Sequence, residues 1–288
     1  MRRPLEIAWK AAAIAALAWL VNTVLNGLLF AGTSFGDGPA ASPGSVLALS
    51  FVRSLLLTVC LLYPTLRSAL AGTRLAVALF LAAFGIGVAL STVEGLVFLE
   101  NVPAGLLLRS ALSDTVTAAL LALLLARALG GRARVEASAT APGSPRGAWG
   151  WGWRMALCSF GYVILYFTAG ALIWPRIRWF YEAEGSVPDP LPLLLLQIVR
   201  GALYVLFVLP LLRSLLTRRW QASLAMAVMF PVLAGVAGLL IPNPVFPDSV
   251  RLYHLIEIGW SNSVFGAVVG WLFWNPAAGL READASPG

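Results

Sequence analysis

Long apolar runs recur along the whole chain, separated by short polar segments. Eight of them reach the roughly 20 apolar residues that a helix needs to cross a bilayer. They cover residues 8–31, 46–70, 75–98, 104–128, 152–174, 191–216, 221–241 and 250–274. The pattern predicts an all-α, polytopic membrane protein with eight transmembrane helices. The first run follows Arg2 and Arg3 as a signal peptide would, but it is longer than a signal core, so we expect it to be retained.

Composition agrees with this fold class and excludes several others. Of the 288 residues, 59% are hydrophobic and 11% charged, whereas soluble domains have about 45–50% and about 25%. The two cysteines, Cys60 and Cys158, lie inside apolar runs, which argues against a disulfide framework. The sequence has one histidine and no P-loop, H-E-x-x-H, G-x-S-x-G or C-x-x-C string. We therefore expect neither a metal nor another cofactor.

The distribution of basic residues predicts the orientation. The net charge is +7, and 14 of the 20 basic residues fall on one side when the N-terminus is placed in the cytoplasm. These are Arg2, Arg3, Lys10, Arg67, Arg74, Arg127, Arg132, Arg134, Arg146, Arg154, Arg213, Arg218, Arg219 and Arg281. The positive-inside rule then accounts for the charge, so nucleic acid is not required as a partner. We expect a multi-pass protein of a bacterial-type plasma (inner) membrane, with both termini cytoplasmic and membrane lipids as partners.

The second half of the chain repeats the first. FVRSLLLTVCLLYPTLRSAL (51–70) aligns with IVRGALYVLFVLPLLRSLL (198–216), and Arg53 thereby matches Arg200. The same alignment matches Arg109 with Glu257 and Asp114 with Asn262. We expect two four-helix repeats at 1–128 and 149–275, joined by a cytoplasmic linker at 129–148 and followed by a cytoplasmic tail at 276–288. Because each repeat has an even number of helices, the copies share one orientation, with a pseudo-twofold axis along the membrane normal.

Polar residues interrupt the apolar runs mainly in their outward-facing parts. A charge in hydrocarbon is costly, so such residues normally face the bundle interior and have partners or a function. The residues that we expect at a substrate-binding or coupling site are Arg53, Glu94, Arg109, Asp114, Arg200, His254, Glu257 and Asn262. One interpretation is an outward-facing cavity lined by three arginines and several carboxylates. The other is a set of structural ion pairs, Arg53 with Glu257 and Arg200 with Asp114 or Glu94.

Three classes of function fit this pattern. The leading hypothesis is a transporter or lipid-handling permease, because guanidinium groups suit an anionic small molecule or a lipid head group. A second is an intramembrane enzyme acting on a lipid-linked substrate, with His254 and Glu257 as acid and base, although the missing motifs argue against an enzyme. A third is a non-catalytic sensor or assembly subunit.

The aromatic and charged segment 174–185 forms either an interfacial helix or a wet loop.

Overall fold

The computed structural model describes residues 4–33, 42–99, 102–131, 147–183, 187, 189–243 and 246–275. Eight helices within them are long and apolar enough to cross a membrane. They are α1 (Pro4–Leu29), α2 (Pro43–Arg67), α3 (Gly72–Phe98), α4 (Ala104–Leu129), α5 (Ala148–Ala183), α6 (Pro190–Arg213), α7 (Arg219–Leu239) and α8 (Asp248–Phe273). The described part of the chain is therefore all-helical, with the architecture of a polytopic membrane protein. Most of the expected linker and the whole expected tail lie outside the described residues.

Each helix begins and ends within a few residues of the expected run, except α5. That helix continues to Ala183 and is 36 residues long. Residues 174–183 therefore belong to a helix, and the wet-loop alternative is wrong for them. The extension matters because it carries Ile177 and Tyr181 to the end of the bundle where the cavity described below lies.

Packing follows the same order in the two halves of the chain, α1–α4 and α5–α8. In the first half, α1 packs on α2 and α4, and α3 packs on α4. In the second half, α5 packs on α6 and α8, and α7 packs on α8. The two halves contact each other through two helix pairs, since α2 packs on α7 and α6 packs on α3. A cavity between the halves is thereby bordered by helices from both.

The closest helix contact, between α7 and α8, depends on two glycines one turn apart. Gly266 lies against the backbone carbonyl of Met226, and a Cβ built at Gly270 would lie 2.6 Å from the Cα of Ser223. Side chains cannot occupy these positions without separating the helices. In a bilayer, van der Waals contact holds helices together, and small residues allow their backbones to approach. The Ser223 hydroxyl adds a 2.7 Å hydrogen bond to the carbonyl of Ala267.

Gly266→Ala is therefore expected to lower the free energy of unfolding by about 1–3 kcal/mol, the usual range for overpacking. Gly161→Ala is a matched control, because nothing lies within 4 Å of a Cβ built there. Since alanine favours a helix over glycine by about 1 kcal/mol, this control is expected to be neutral or stabilising. Thermal unfolding of the purified variants in detergent measures both. Equal stability of the two variants would contradict a tight α7–α8 contact.

Two turns of π-helix interrupt α3 and α7 where the halves meet. They span Gly85–Ala89 and Val232–Val236. A Cβ built at Gly87 would lie 3.0 Å from the carbonyl oxygen of Leu233, so the two turns are in contact. π-helical turns are rare and frequently mark functional sites. Here both turns contribute to the wall of the cavity.

The two ends of the bundle differ. At one end, called the bridge end, the α2–α3 and α6–α7 loops pair as an isolated antiparallel bridge between Ser68 and Leu215. The amide of Ala69 donates to Ser214 O (2.7 Å), and that of Leu216 donates to Arg67 O (2.8 Å). The hydroxyls of Ser68 and Ser214 are also 2.8 Å apart. The opposite end, with the α1–α2, α3–α4, α5–α6 and α7–α8 connections, is called the cavity end.

Candidate functional site

A cavity of about 860 Å³ lies between the halves. Of the described residues, those that line it come from every helix except α1. Leu99, Pro190 and Asn243 border it at the cavity end, and Leu61 and Leu121 lie deepest, toward the bridge end. Its wall is mainly apolar, and the charged side chains form three clusters that lie part-way along the helices. Arg53 and Arg200 both line this cavity.

The first cluster joins α1, α2 and α4. Arg53 Nη2 lies 2.6 Å from Asp114 Oδ1, and Arg53 Nη1 donates to Asn22 Oδ1 at 3.3 Å. The Asn22 amide in turn donates to the hydroxyls of Ser113 (3.1 Å) and Thr117 (3.0 Å). Arg53 therefore pairs with Asp114, and the expected Arg53–Glu257 pair is not formed. The reason is packing, since α1, α2 and α4 belong to one half whereas Glu257 belongs to the other.

Asn22 connects this cluster, and the sequence analysis missed it. Its side chain is buried, with 4% of its surface exposed. A polar amide is costly to bury without partners, and Asn22 satisfies its donors and acceptor on two neighbouring helices, α2 and α4. The feature of the sequence that could have identified Asn22 is the pair of asparagines, Asn22 and Asn26, within a mainly apolar run. The Asn26 amide donates a hydrogen bond to Asn22 Oδ1 at 3.0 Å.

The second cluster connects the two halves. Arg200 on α6 pairs with Glu94 on α3 at 2.5 Å, which is one of the two partners that the sequence suggested. Arg200 Nε also donates to the hydroxyl of Tyr204 (3.0 Å), and its guanidinium lies 6.0 Å from the ring centre of Tyr162. The Arg200 side chain is only 6% exposed, so this charge is held in a low-dielectric setting and depends on Glu94.

The third cluster is a chain of three titratable side chains. His254 Nδ1 lies 2.8 Å from Glu257 Oε2, and His254 Nε2 lies 2.8 Å from the hydroxyl of Tyr181. The spacing of three residues places His254 and Glu257 on one face of α8, as the sequence indicated. Tyr181 comes from the extension of α5, 73 residues away, and no local spacing could have identified it. With a neutral histidine, the tyrosine hydroxyl donates to Nε2 and the Nδ1–H donates to the carboxylate.

The remaining predicted residues are Asn262 and Arg109. Asn262 lines the cavity, and its amide donates to the carbonyl of Ile258 (3.2 Å). Its buried Oδ1 has no hydrogen-bond partner among the described residues. Arg109 lies elsewhere, since its side chain is exposed and donates to the carbonyl of Leu29 at 3.1 Å. The cavity therefore has two arginines in its lining, where the sequence suggested three.

The charges around the cavity do not balance if His254 is neutral. Among the described residues, its lining contains two guanidinium groups, of Arg53 and Arg200, and three carboxylates, of Glu94, Asp114 and Glu257. The first two carboxylates are the partners of the arginines. Within the described part of the chain, the ionic partner of Glu257 is His254 alone, which is charged only when protonated. Its Oε1 has no hydrogen bond among the described residues and lies near the bare Cα of Gly170. One carboxylate thus faces the cavity without a permanent cation.

Comparisons of the chain with protein-family models, with curated proteins and with solved structures found no match. The geometry of the cavity and of the two ends of the bundle is therefore the basis for a function.

Proposed function

We propose that this protein is an integral membrane transporter or lipid-handling permease of a bacterial-type plasma membrane. The observation that carries the proposal is the asymmetry of the bundle. A large cavity lies toward one end and reaches buried charges, and the other end is closed by packed apolar side chains together with the contact between Ser68 and Ser214. A pathway that is accessible from one side and closed on the other is the arrangement that alternating access requires.

We infer a tandem duplication of the two halves, and it supports this proposal. The bridge end is formed by the matched strings Arg67-Ser68 and Arg213-Ser214, so equivalent segments meet across the expected pseudo-twofold axis. The helices of the two halves pack in the same order, and the π-helical turns occur 147 residues apart, the separation of Arg53 and Arg200. Two units of equivalent packing can rock against each other about their shared interface.

The basic residues support an orientation with the cavity end outside. Arg67, Arg74, Arg213, Arg218 and Arg219 all lie near the bridge end. The positive-inside rule then places the bridge end and both termini in the cytoplasm.

The pairing of the arginines affects which substrate is expected. An anionic small molecule or lipid head group, as the sequence suggested, would have to displace Asp114 from Arg53 or Glu94 from Arg200. The apolar wall instead favours an amphipathic substrate, whose polar part meets the charged clusters. Ion pairing alone would suit a sensor or assembly subunit, but a structural cluster does not require a cavity of this size beside it.

A second candidate is an intramembrane enzyme. The hydrogen-bonded series Tyr181–His254–Glu257 favours it, because such a series can move a proton to or from a bound substrate. The described residues near it include no serine, cysteine or threonine in contact with the histidine to serve as a nucleophile. Proton transfer in this series serves transport equally well, as a step coupled to substrate binding.

Opening of the bridge end tests the proposal without knowledge of the substrate. Ser214 is fully buried, so a cysteine there can react with a water-soluble thiol reagent only when the bridge end opens. In a background with Cys60 and Cys158 replaced by alanine, we expect Ser214→Cys to be labelled from the cytoplasmic face of inside-out vesicles. The matched control is Ser113→Cys, equally buried but between α1 and α4 of one half.

We expect Ser214→Cys to be labelled within minutes to hours and Ser113→Cys to remain unreactive. Repeated opening accumulates labelled protein even when the open state is rare. Equal protection of both positions over the same period would contradict a transporter that opens at this end. Mass spectrometry of the labelled protein gives the extent of reaction at each position.

A further inference from the structure

We infer that the cavity binds a lipophilic organic cation, with Glu257 as its counter-charge, in exchange for a proton. This inference rests on the proposed function and deepens it by naming the substrate class. It differs from the anionic substrate suggested by the sequence, and the reason is the observed arrangement of the charges.

Charge balance is the first argument. Arg53 and Arg200 have carboxylate partners at 2.6 and 2.5 Å, so their positive charges are already satisfied. Glu257 is hydrogen-bonded through Oε2 to a histidine that is charged only when protonated. A carboxylate with 11% of its side chain exposed is unfavourable as an anion without a cationic partner. A cation in the cavity would supply this partner.

Hydrogen-bonding groups give a second, independent argument. Asn262 is 5% exposed and lines the cavity, and its Oδ1 has no partner among the described residues. Glu257 Oε1 likewise has no hydrogen bond within the described part of the chain. Both atoms are acceptors, and the Asn262 oxygen is buried without a partner among the described residues. A ligand that completes them supplies positive charge or hydrogen-bond donors, which an anion does not.

The wall is suited to the rest of such a ligand. Seven aromatic rings of the described residues line the space, with apolar side chains between them; five are on α5 (Tyr162, Tyr166, Phe167, Trp174 and Tyr181), one is on α3 (Phe98) and one is in the segment before α8 (Phe246). Aromatic faces attract cations, most strongly where water is excluded. The volume of about 860 Å³ lies within the range of about 300–1,000 Å³ that is usual for sites of drug-sized molecules.

Exchange with a proton follows from the surroundings of Glu257. His254 lies beside it on α8, and Tyr166 and Tyr181 face the cavity from α5. The Glu94–Arg200 pair borders the same cavity from α3 and α6, and the Arg53–Asp114 pair from α2 and α4. The part of α7 that lines the cavity contains no charged residue. Protonation of Glu257 or His254 removes the unbalanced negative charge, so a proton and a cation compete for one position.

The test is binding of tetraphenylphosphonium to the purified full-length protein in detergent, measured by isothermal titration calorimetry at several pH values. We expect wild-type binding to weaken about tenfold for each unit by which the pH falls, in the range where one proton competes with the cation. Glu257→Gln keeps the size of the side chain and should weaken binding at least about tenfold, because it removes the counter-charge. Glu257→Asp keeps the charge and should retain the pH dependence. Asp248→Asn is the matched control on the same helix; Asp248 is 86% exposed, and binding should not change.

Several results would overturn the inference. These are a folded wild-type protein that does not bind the cation, a Glu257→Gln variant that binds like wild type, or selective binding of dodecyl phosphate, which would identify an anionic substrate. The inference and the proposed function can fail separately. Cation binding without labelling of Ser214→Cys would overturn transport alone, whereas labelling without cation binding would overturn the substrate class alone.

Discussion

Replacement of Arg200 by alanine is expected to destabilise the protein by about 3–5 kcal/mol, because it leaves the carboxylate of Glu94 without its partner inside the bundle. The double variant Arg200→Ala/Glu94→Gln should recover most of this loss, since it removes both charges. Thermal or denaturant-induced unfolding of the two single variants and the double variant measures the coupling energy directly. The pair also joins α3 to α6, so the loss should weaken the contact between the halves.

Arg109→Ala provides a matched control. Arg109 is also an arginine in a membrane-spanning helix, but it is exposed and donates to a single backbone carbonyl. Its replacement is expected to change stability by less than about 0.5 kcal/mol. If Arg200→Ala unfolded at the same temperature as Arg109→Ala, the Arg200–Glu94 pair would not be a structural link between the halves.

A disulfide across the bridge end is expected to abolish transport. The hydroxyl oxygens of Ser68 and Ser214 are 2.8 Å apart, so cysteines at both positions lie close enough to form an S–S bond of about 2.05 Å. In a background without Cys60 and Cys158, the oxidised double variant should lose uptake of tetraphenylphosphonium and regain it on reduction. The single variants Ser68→Cys and Ser214→Cys should retain uptake under the same oxidation. Uptake that persists in the fully cross-linked protein would exclude the bridge end as a gate.

The sequence was sufficient to predict the helices, because about 20 apolar residues in succession have few alternatives in a membrane protein. It also identified residues that border the cavity, because charges within apolar runs rarely face lipid. Arg53, Glu94, Asp114, Arg200, His254, Glu257 and Asn262 all line the cavity. Arg109 does not, because it lies nearer the helix end, where a long side chain can reach a backbone carbonyl and solvent.

The pairing of these residues could not be predicted from the sequence. Arg200 had two acceptable partners, and the choice of Glu94 depends on the packing of α6 on α3. Arg53 meets Asp114 because α2 and α4 are neighbours in one half. Tyr181 reaches His254 only because α5 extends past the expected span. Contacts between distant segments depend on helix packing, which apolar composition does not specify.

The central claim is that the cavity carries a substrate across the membrane in exchange for a proton at Glu257. The most direct measurement is uptake of tetraphenylphosphonium by proteoliposomes with an acidic interior, with the membrane potential clamped to zero by potassium and valinomycin. We predict accumulation by wild-type vesicles above protein-free vesicles, and no accumulation above that level with Glu257→Gln. Wild-type vesicles that accumulate no more cation than protein-free vesicles would contradict the claim.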